Sequence, residues 1–331
     1  MMLRRPRKVL LTGGQAGGGV ASYAQALQCG FQEFGLQAEV IAPGEIFKRL
    51  DEVADPEVLK ILSTTAVFAA PFARRAITTA HGFPCVANQG WLRTIGVLAS
   101  YGLSNVSRGT QLIVVSDYSA LHLETIFNLR VDGVIRNAMH PIFEEAGNDM
   151  TRRAITYVGR LHRSKNVDKI LPAMMDCLDE YDDLEIWIIG DGPERARLES
   201  IANKNSRVKF YGVLHPLEVR ELLRQSCVFI SANPTEPFGI VYLEALSQGC
   251  CIAMPASGGG LEIAPELIGQ QIHLFAPSIE RSSVVAALST ALEQPAASVL
   301  LKAHTAQSVA EAYLKADSLF DEQGFFAGGL R

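Results

Sequence analysis

Short apolar runs alternate with longer amphipathic stretches along nearly the whole chain. A short run of Val, Ile and Leu closed by Gly, Asn or Asp is the pattern of a strand buried on both faces. A longer stretch with apolar residues three and four apart is a helix that covers it. Repeated, this rhythm is βαβα and implies mostly parallel sheets. In the first half it predicts strands over Lys8–Leu11, Ala38–Ile41, Ile77–Ala80, Gln111–Val115 and Gly133–Ile135, with one more in Thr65–Ala69. Helices Val20–Phe34 and Ser119–Phe127 lie between them. In the second half it predicts strands over Ala154–Val158, Leu184–Ile189, Val208–Tyr211, Cys227–Ile230 and Cys251–Met254. Their helices are Val167–Leu178, Pro193–Ala202, Pro216–Gln225 and Ile240–Ser247. From Ile279 onward the chain reads as helix, and Gly324–Arg331 as a loose tail.

Between the halves lies a polar, charged stretch, Pro141–Arg153, with Gly147, Asn148 and Asp149 together. A linker there divides the chain into domains 1–145 and 146–331, with the C-terminal helix free to pack back on the first domain. The 331 residues suit two domains, and an apolar content of 48% is ample for two cores.

Charge narrows the function classes. The formal net charge is −5, whereas nucleic-acid binders carry a basic excess. One local exception is Arg4-Arg5-Pro6-Arg7-Lys8, which reads either as a solvated tail or as a weak, peripheral attraction to an anionic membrane surface. The apolar run after it, Val9-Leu10-Leu11, is too short for a secretory signal, and no segment is long enough for a membrane helix. The six cysteines include no Cys-x-x-Cys pair and fall in apolar patterns. They read as reduced core residues of a cytoplasmic protein.

Candidate chemistry clusters at strand ends. The first strand closes in Gly13-Gly14-Gln15-Ala16-Gly17-Gly18-Gly19, and a helix follows. Glycines there let a ligand approach, and the helix N-terminus offers free N–H groups to a phosphate. The same loop reads alternatively as a purely structural glycine turn. It lacks the Lys-Ser or Lys-Thr of a nucleotide-triphosphate loop and the spacing of a dinucleotide fingerprint. In the second half, Gly159-Arg160 closes a strand and Lys165 precedes a helix, two cations at the carboxyl end of a parallel strand. They suit a diphosphate that no metal neutralises, and they suit an ordinary surface equally well. The most specific segment is Glu236-Pro237-Phe238-Gly239-Ile240-Val241-Tyr242-Leu243-Glu244. Its first carboxylate falls in a loop and its second inside an apolar helix, where it needs partners.

In order along the chain, five segments resemble the retaining, GT-B-fold glycosyltransferases of family 4, the glycosyl transferases group 1 type. They are Gly18-Gly19-Val20, His81-Gly82, Val134-Ile135-Arg136-Asn137, Gly159-Arg160 with Lys165, and the pair Glu236 and Glu244. Gly190-Asp191-Gly192-Pro193 and Gly258-Gly259 with Glu262 support them. The resemblance runs from about Val9 to Glu262. It implies an α/β fold of two Rossmann-like domains with parallel sheets facing a central cleft. It implies that Arg160 and Lys165 hold the donor diphosphate and stabilise the leaving group. Gly18 and Gly19 would approach the donor phosphates, Glu244 the ribose hydroxyls, and Glu236 the reacting face of the sugar. The N–H groups of Phe238, Gly239, Ile240 and Val241 would meet sugar and phosphate oxygens, and His81 a sugar hydroxyl. The sequence departs from the family at Asn166, Arg136 and Ala138, where members usually carry Gly, Pro and Gly.

The expected activity is metal-independent, retaining transfer of a hexose from a UDP-sugar, with UDP-glucose first. No cofactor is expected. The acceptor is a glycan or a lipid-linked saccharide, as in polysaccharide biosynthesis. No Asp-x-Asp metal-diphosphate signal occurs, and the two cations and helix N-termini can stabilise a departing phosphate instead. Two alternatives remain at this stage: a nicotinamide-dependent oxidoreductase, and a non-catalytic nucleotide-sugar-binding or regulatory protein.

Overall fold

The structure, a computed structural model, describes residues 5–13, 19–82, 91–145, 152–295 and 297–322. They form two compact units, Met1–Pro141 with Lys302–Arg331, and Ile142–Leu301. The division therefore falls at 141/142 rather than 145/146, and the described residues from Lys302 to Glu322 cluster with the first unit.

The first unit is built on a six-stranded sheet of β1 (Lys8–Thr12), β2 (Gln37–Ile41), β3 (Val58–Leu62), β4 (Ala76–Ala80), β5 (Thr110–Val114) and β6 (Gly133–Val134). Every neighbouring pair is parallel, in the order β2-β1-β3-β4-β5-β6. Its helices are α1 (Gly19–Glu33), the short α2 (Leu50–Ala54), α3 (Trp91–Val106) and α4 (Asp117–Phe127). α4 starts where Ser116 accepts from the Ser119 amide and stops at Asn128 in the left-handed conformation.

The second unit carries a second six-stranded sheet: β7 (Ala154–Val158), β8 (Glu185–Ile189), β9 (Val208–Gly212), β10 (Ser226–Ile230), β11 (Cys251–Pro255) and β12 (Ile272–Phe275). It too is wholly parallel, in the order β12-β11-β10-β7-β8-β9. Around it stand α5 (Val167–Glu180), α6 (Arg195–Ala202), α7 (Pro216–Arg224), α8 (Ile240–Ser247) and α9 (Arg281–Glu293). Ile155, Ile186, Val228 and Cys251 from four strands meet Leu171, Met174 and Leu288 from the helices in one buried core.

The final helix, α10 (Ala306–Glu322), belongs to the first unit and lies along α1. Gly30 permits the approach, since a Cβ there would come within 2.1 Å of the Ala306 carbonyl oxygen. Buried polar groups then fasten it. The Tyr313 hydroxyl bonds to that of Tyr23 and, at 2.8 Å, to Thr79 Oγ1. The Arg75 guanidinium grips the Asp317 carboxylate with two hydrogen bonds. Buried charges of this kind are tolerated only when so paired.

Two expectations are corrected. Thr65–Ala69 is not a strand. It lies in a 3-10 segment, Thr64–Phe72, and the strand is the preceding run Val58–Leu62. Lys60 disguised that run as polar, yet its side chain is fully buried, with its ammonium on the Asp55 carbonyl. The region after Ile279 is not one helix but two, α9 and α10, separated by an irregular stretch. Among the described residues, no helix is long and apolar enough to cross a membrane.

Candidate active site

In an open parallel sheet, the loops at the carboxyl ends part where the strand order reverses, and ligands bind in that crevice. The second sheet reverses between β7 and β10. The loop after β7 carries Gly159, Arg160 and Lys165, and the loop after β10 carries Asn233 to Gly239.

Those two loops meet through charge. Lys165 Nζ donates to Glu236 Oε2 at 2.6 Å. Asn233 Nδ2 donates to the same oxygen at 2.8 Å. Asn233 is itself fixed, because its Oδ1 accepts from the amide and hydroxyl of Thr235. Asn166 braces the other side, its Nδ2 donating to the Ala232 carbonyl at 3.0 Å. It also ends the 3-10 turn Arg163–Lys165 in the left-handed conformation (φ 50°) and caps α5. Glycine and asparagine are the residues that tolerate this conformation, so the departure from the family pattern at 166 keeps the backbone and adds a tie. Arg160 is exposed, and no described side chain pairs with its guanidinium.

Glu236 leads directly into α8. Gly239 takes φ +90° as the residue before the helix, and a Cβ there would lie 2.3 Å from the Tyr242 ring. No side chain caps this N-terminus. The amides of its first turn are therefore available to an anion, and the helix dipole favours one. Phe238 is buried beneath the turn. Gly259 N donates to the Glu236 carbonyl at 2.8 Å, so the loop after β11 holds the backbone of the same segment.

Glu244 lies one turn further into α8. It is 8% exposed, and among the described residues no group donates to its carboxylate. Burial pushes that carboxyl up to about 7. A carboxylate left in this state is costly, and hydroxyl donors from a ligand would relieve the cost.

The first unit gathers different chemistry at its own strand ends, beside the reversal between β1 and β3. His81 follows β4, with Nε2 3.1 Å from Ser63 Oγ after β3. Thr12 Oγ1, at the end of β1, accepts from the Ser63 amide at 2.7 Å. The His81 ring stands edge-to-face on Tyr23 with centroids 4.5 Å apart. Burial holds its imidazole down at about 4, against a smaller opposing effect of the Asn137 side chain. It is neutral near pH 7 and can exchange hydrogen bonds, but it is no proton source there. Gly19 opens α1, and a Cβ on it would meet nothing within 4 Å. Gly18 lies outside the described residues, as does Cys85.

Reasoning from the sequence singled out Arg160, Lys165, Glu236 and Glu244, named Asn166 only as a departure from the family, and passed over Asn233 and Ser63. Asn233 stands two residues before Thr235, whose amide its Oδ1 accepts, the spacing of an asparagine turn, and that was the available signal. Ser63 offered none, because it is joined to His81 only through the pairing of β3 with β4. Among the described residues, no three His, Cys, Asp or Glu side chains are grouped so as to hold a metal ion.

Comparison with known proteins places this geometry. The family model described as "Glycosyl transferases group 1" matches residues 139–306. A human subunit of phosphatidylinositol N-acetylglucosaminyltransferase is 31% identical over 165 residues, covering 48% of this chain and 33% of that protein. The sulfoquinovosyl transferase SQD2 of Arabidopsis thaliana is 31% identical over 112 residues, 34% of this chain and 21% of that protein. The chain thus spans a third or less of the length of these two relatives. Among solved structures, Anabaena HepE in complex with UDP and glucose superposes with a TM-score of 0.69 at 16% identity, over 96% of this chain and 98% of that one. WaaG, a glycosyltransferase of lipopolysaccharide biosynthesis, gives 0.66 at 16% identity, over 97% and 100%. At such identities the likeness is one of fold: two parallel six-stranded sheets with helices, the GT-B architecture.

Proposed function

This chain belongs to the glycosyl transferases group 1 family, and we propose that it moves a hexose, with glucose first, from a UDP-sugar to a saccharide or lipid-linked acceptor. The transfer needs no metal ion and retains the anomeric configuration. One arrangement carries the reading. At the order reversal of the second sheet lie the Lys165–Glu236 pair, the exposed Arg160 and the uncapped start of α8, and α8 carries a buried carboxylate that has no donor among the described residues.

The chemistry follows from those groups. Departure of a nucleoside diphosphate puts charge on its terminal phosphate, and positioned cations and helix amides stabilise it. Arg160, Lys165 and the first turn of α8 take that role. Glu244 accepts from the ribose hydroxyls, which keeps its carboxylate ionised. Glu236, held by Lys165 and Asn233, contacts the sugar. His81, kept neutral, suits a hydrogen bond to a hydroxyl. The relatives support the substrate classes. HepE is solved with UDP and glucose, and the human relative is named for N-acetylglucosaminyl transfer and phosphatidylinositol. The reading places the reaction on the cytoplasmic side of a membrane, where the free thiols of Cys177, Cys250 and Cys251 stay reduced.

A thermal-shift panel of UDP, UDP-glucose, UDP-N-acetylglucosamine and GDP-mannose tests the donor, since a bound ligand raises the midpoint. UDP and a UDP-sugar are expected to stabilise the protein, and donor hydrolysis to persist in excess EDTA. Stabilisation by GDP-mannose alone would overturn the nucleotide assignment. Activity abolished by EDTA and restored by magnesium or manganese would overturn the metal-independent route.

A further inference from the structure

His81 meets Ser63 Oγ through Nε2 at 3.1 Å. One such contact leaves the ring free to turn, because the torsion that sets an imidazole plane is broad. The Tyr23 ring supplies a second constraint, edge-to-face with centroids 4.5 Å apart. Tyr23 has the same freedom about its own torsion. Its ring is fixed from the far end, where its hydroxyl bonds to that of Tyr313 on α10, 290 positions away.

Tyr313 returns the path to the strand that carries the histidine. Its hydroxyl lies 2.8 Å from Thr79 Oγ1. Thr79 belongs to β4, and His81 comes two positions later, just past the end of that strand. The four residues therefore close a circuit: from β4 to α10, across to α1, and back to the residue after β4. Thr79, Tyr23 and Tyr313 are each exposed by 1% or less, so their hydroxyls need one another as partners. Burial raises both phenols, that of Tyr313 to about 12, so neither ionises near pH 7. In this circuit only His81 stays partly exposed and open to a ligand.

The docking of α10 has other supports. Arg75 grips Asp317, Gln111 Nε2 donates to the Ala316 carbonyl at 3.2 Å, and Gly30 admits Ala306. None of those contacts includes Thr79, Tyr23 or His81. The Tyr313 hydroxyl is where the C-terminal helix reaches the wall of the His81 site.

We propose that Tyr313 is a positioning residue, which through Tyr23 holds the His81 ring in the orientation that meets a sugar hydroxyl. Without its hydroxyl, Tyr23 and Thr79 lose their shared partner, the Tyr23 ring turns, and the imidazole gains a freedom that the Ser63 contact does not remove. The inference deepens the reading of His81 in sugar transfer and rests on it.

Ring signals of histidine-labelled protein in nuclear magnetic resonance test it directly. Among the seven histidines, those of His81 are the ones lost in His81→Gln. Tyr313→Phe and Tyr23→Phe keep both rings and are expected to move the His81 signals. They should also lower kcat about three- to tenfold, the scale of one hydrogen bond, with KM for the donor little changed. In the His81→Gln background, Tyr313→Phe should lower kcat no further, since both act through one ring. Thr79→Val cuts the circuit at its other end and should move the His81 signals as well, which keeps the test open if Tyr313→Phe does not fold. Gln111→Met removes a different tie of α10 and should lower Tm while leaving the His81 signals and kcat in place. The signals are read without donor or acceptor, so failure of this brace and failure of the transfer reading can be told apart. His81 signals unmoved in both tyrosine variants would overturn the proposal. So would a kcat loss from Tyr313→Phe that persists in full beside His81→Gln, or His81 signals that Gln111→Met moves as far as Tyr313→Phe does.

Discussion

At the carboxyl ends of the second sheet the chemistry is that of charge: Lys165 pairs with Glu236, Arg160 stands exposed on the same loop as Lys165, and the buried Glu244 follows in α8 with its carboxyl raised to about 7. At the carboxyl ends of β1, β3 and β4 in the first, the groups around His81 are uncharged: Thr12, Ser63, Tyr23 and a histidine that burial keeps neutral, while the carboxyl ends of β5 and β6 carry the Arg136–Asp117 ion pair. Two sheets of the same parallel architecture therefore present different chemistry at the same edge. Charge suits a substrate part that gains negative charge as it leaves. Hydroxyls and neutral imidazole suit sugar hydroxyls, which exchange hydrogen bonds without titrating. The exposed surfaces differ as well, with the large apolar side chains concentrated on the first unit.

The largest expected effect breaks the charged edge. Arg160→Ala and Lys165→Ala should each lower turnover by about 10²-fold or more, since one such electrostatic contact is worth roughly 2–4 kcal/mol. Far-UV circular dichroism should show intact folding. Wild-type kcat in both variants would remove these cations from the chemistry.

Next comes the separation of the two carboxylates. Glu244→Gln should weaken UDP binding by about tenfold, the scale of one charge-assisted hydrogen bond. Glu236→Gln should leave UDP binding nearly unchanged and reduce kcat. Titration calorimetry beside steady-state rates distinguishes them. The pH dependence sharpens the assignment. The Glu244 carboxyl is raised from 4.5 to about 7, so the fold retains a proton that the unfolded chain releases. Stability of the free protein should therefore fall as pH rises from about 4.5 through about 7, and Glu244→Gln should lack that loss. UDP affinity should rise over the upper part of the same range in the wild type and stay flat in the variant. Parallel profiles in the two proteins would mean that Glu244 does not meet the ligand.

A smaller effect tests the neutral edge. With its imidazole held at about 4, His81 should contribute no titration between pH 5.5 and 8, a window about one unit or more above that value. His81→Gln, which keeps a neutral hydrogen-bonding group, should then lower kcat/KM about tenfold or less, with the shape of the pH–rate profile unchanged. A limb near pH 6.5 that disappears in the variant would show a working acid or base there.

The smallest effect concerns Asn233. Asn233→Ala removes one of two donors to Glu236 Oε2 and should cost kcat several-fold, about the value of one hydrogen bond, with KM for donor little changed. Asn233→Asp sets a second carboxylate against Glu236 and should cost kcat more than Asn233→Ala does. A loss confined to KM would assign Asn233 to binding rather than to the placement of Glu236.

Local pattern settled a good deal. β7, β8, β10 and β11 lie within a residue or so of their apolar runs, because a strand buried on both faces leaves little room for polar side chains. Glu236 in a loop and Glu244 in a helix could likewise be read from Gly239 and the apolar stretch that follows. β3 was missed because buried Lys60 breaks its run. α3 was missed because its buried face is polar and its exposed face apolar, which reverses the pattern used to find helices.

The sequence by itself determined the βαβα rhythm, the parallel sheets and the residue types able to hold a diphosphate, since periodicity and side-chain chemistry are properties of neighbouring positions. Tertiary structure alone decided which of these groups meet. Lys165 and Glu236 are 71 positions apart and touch because β10 lies beside β7, a strand order that chain order does not reveal. It also decided that α10 joins the first unit, through Arg75 and Asp317, 242 positions apart. Burial did the rest. Glu244 and His81 are ordinary titratable residues in the chain, and desolvation in the fold moves one up and the other down.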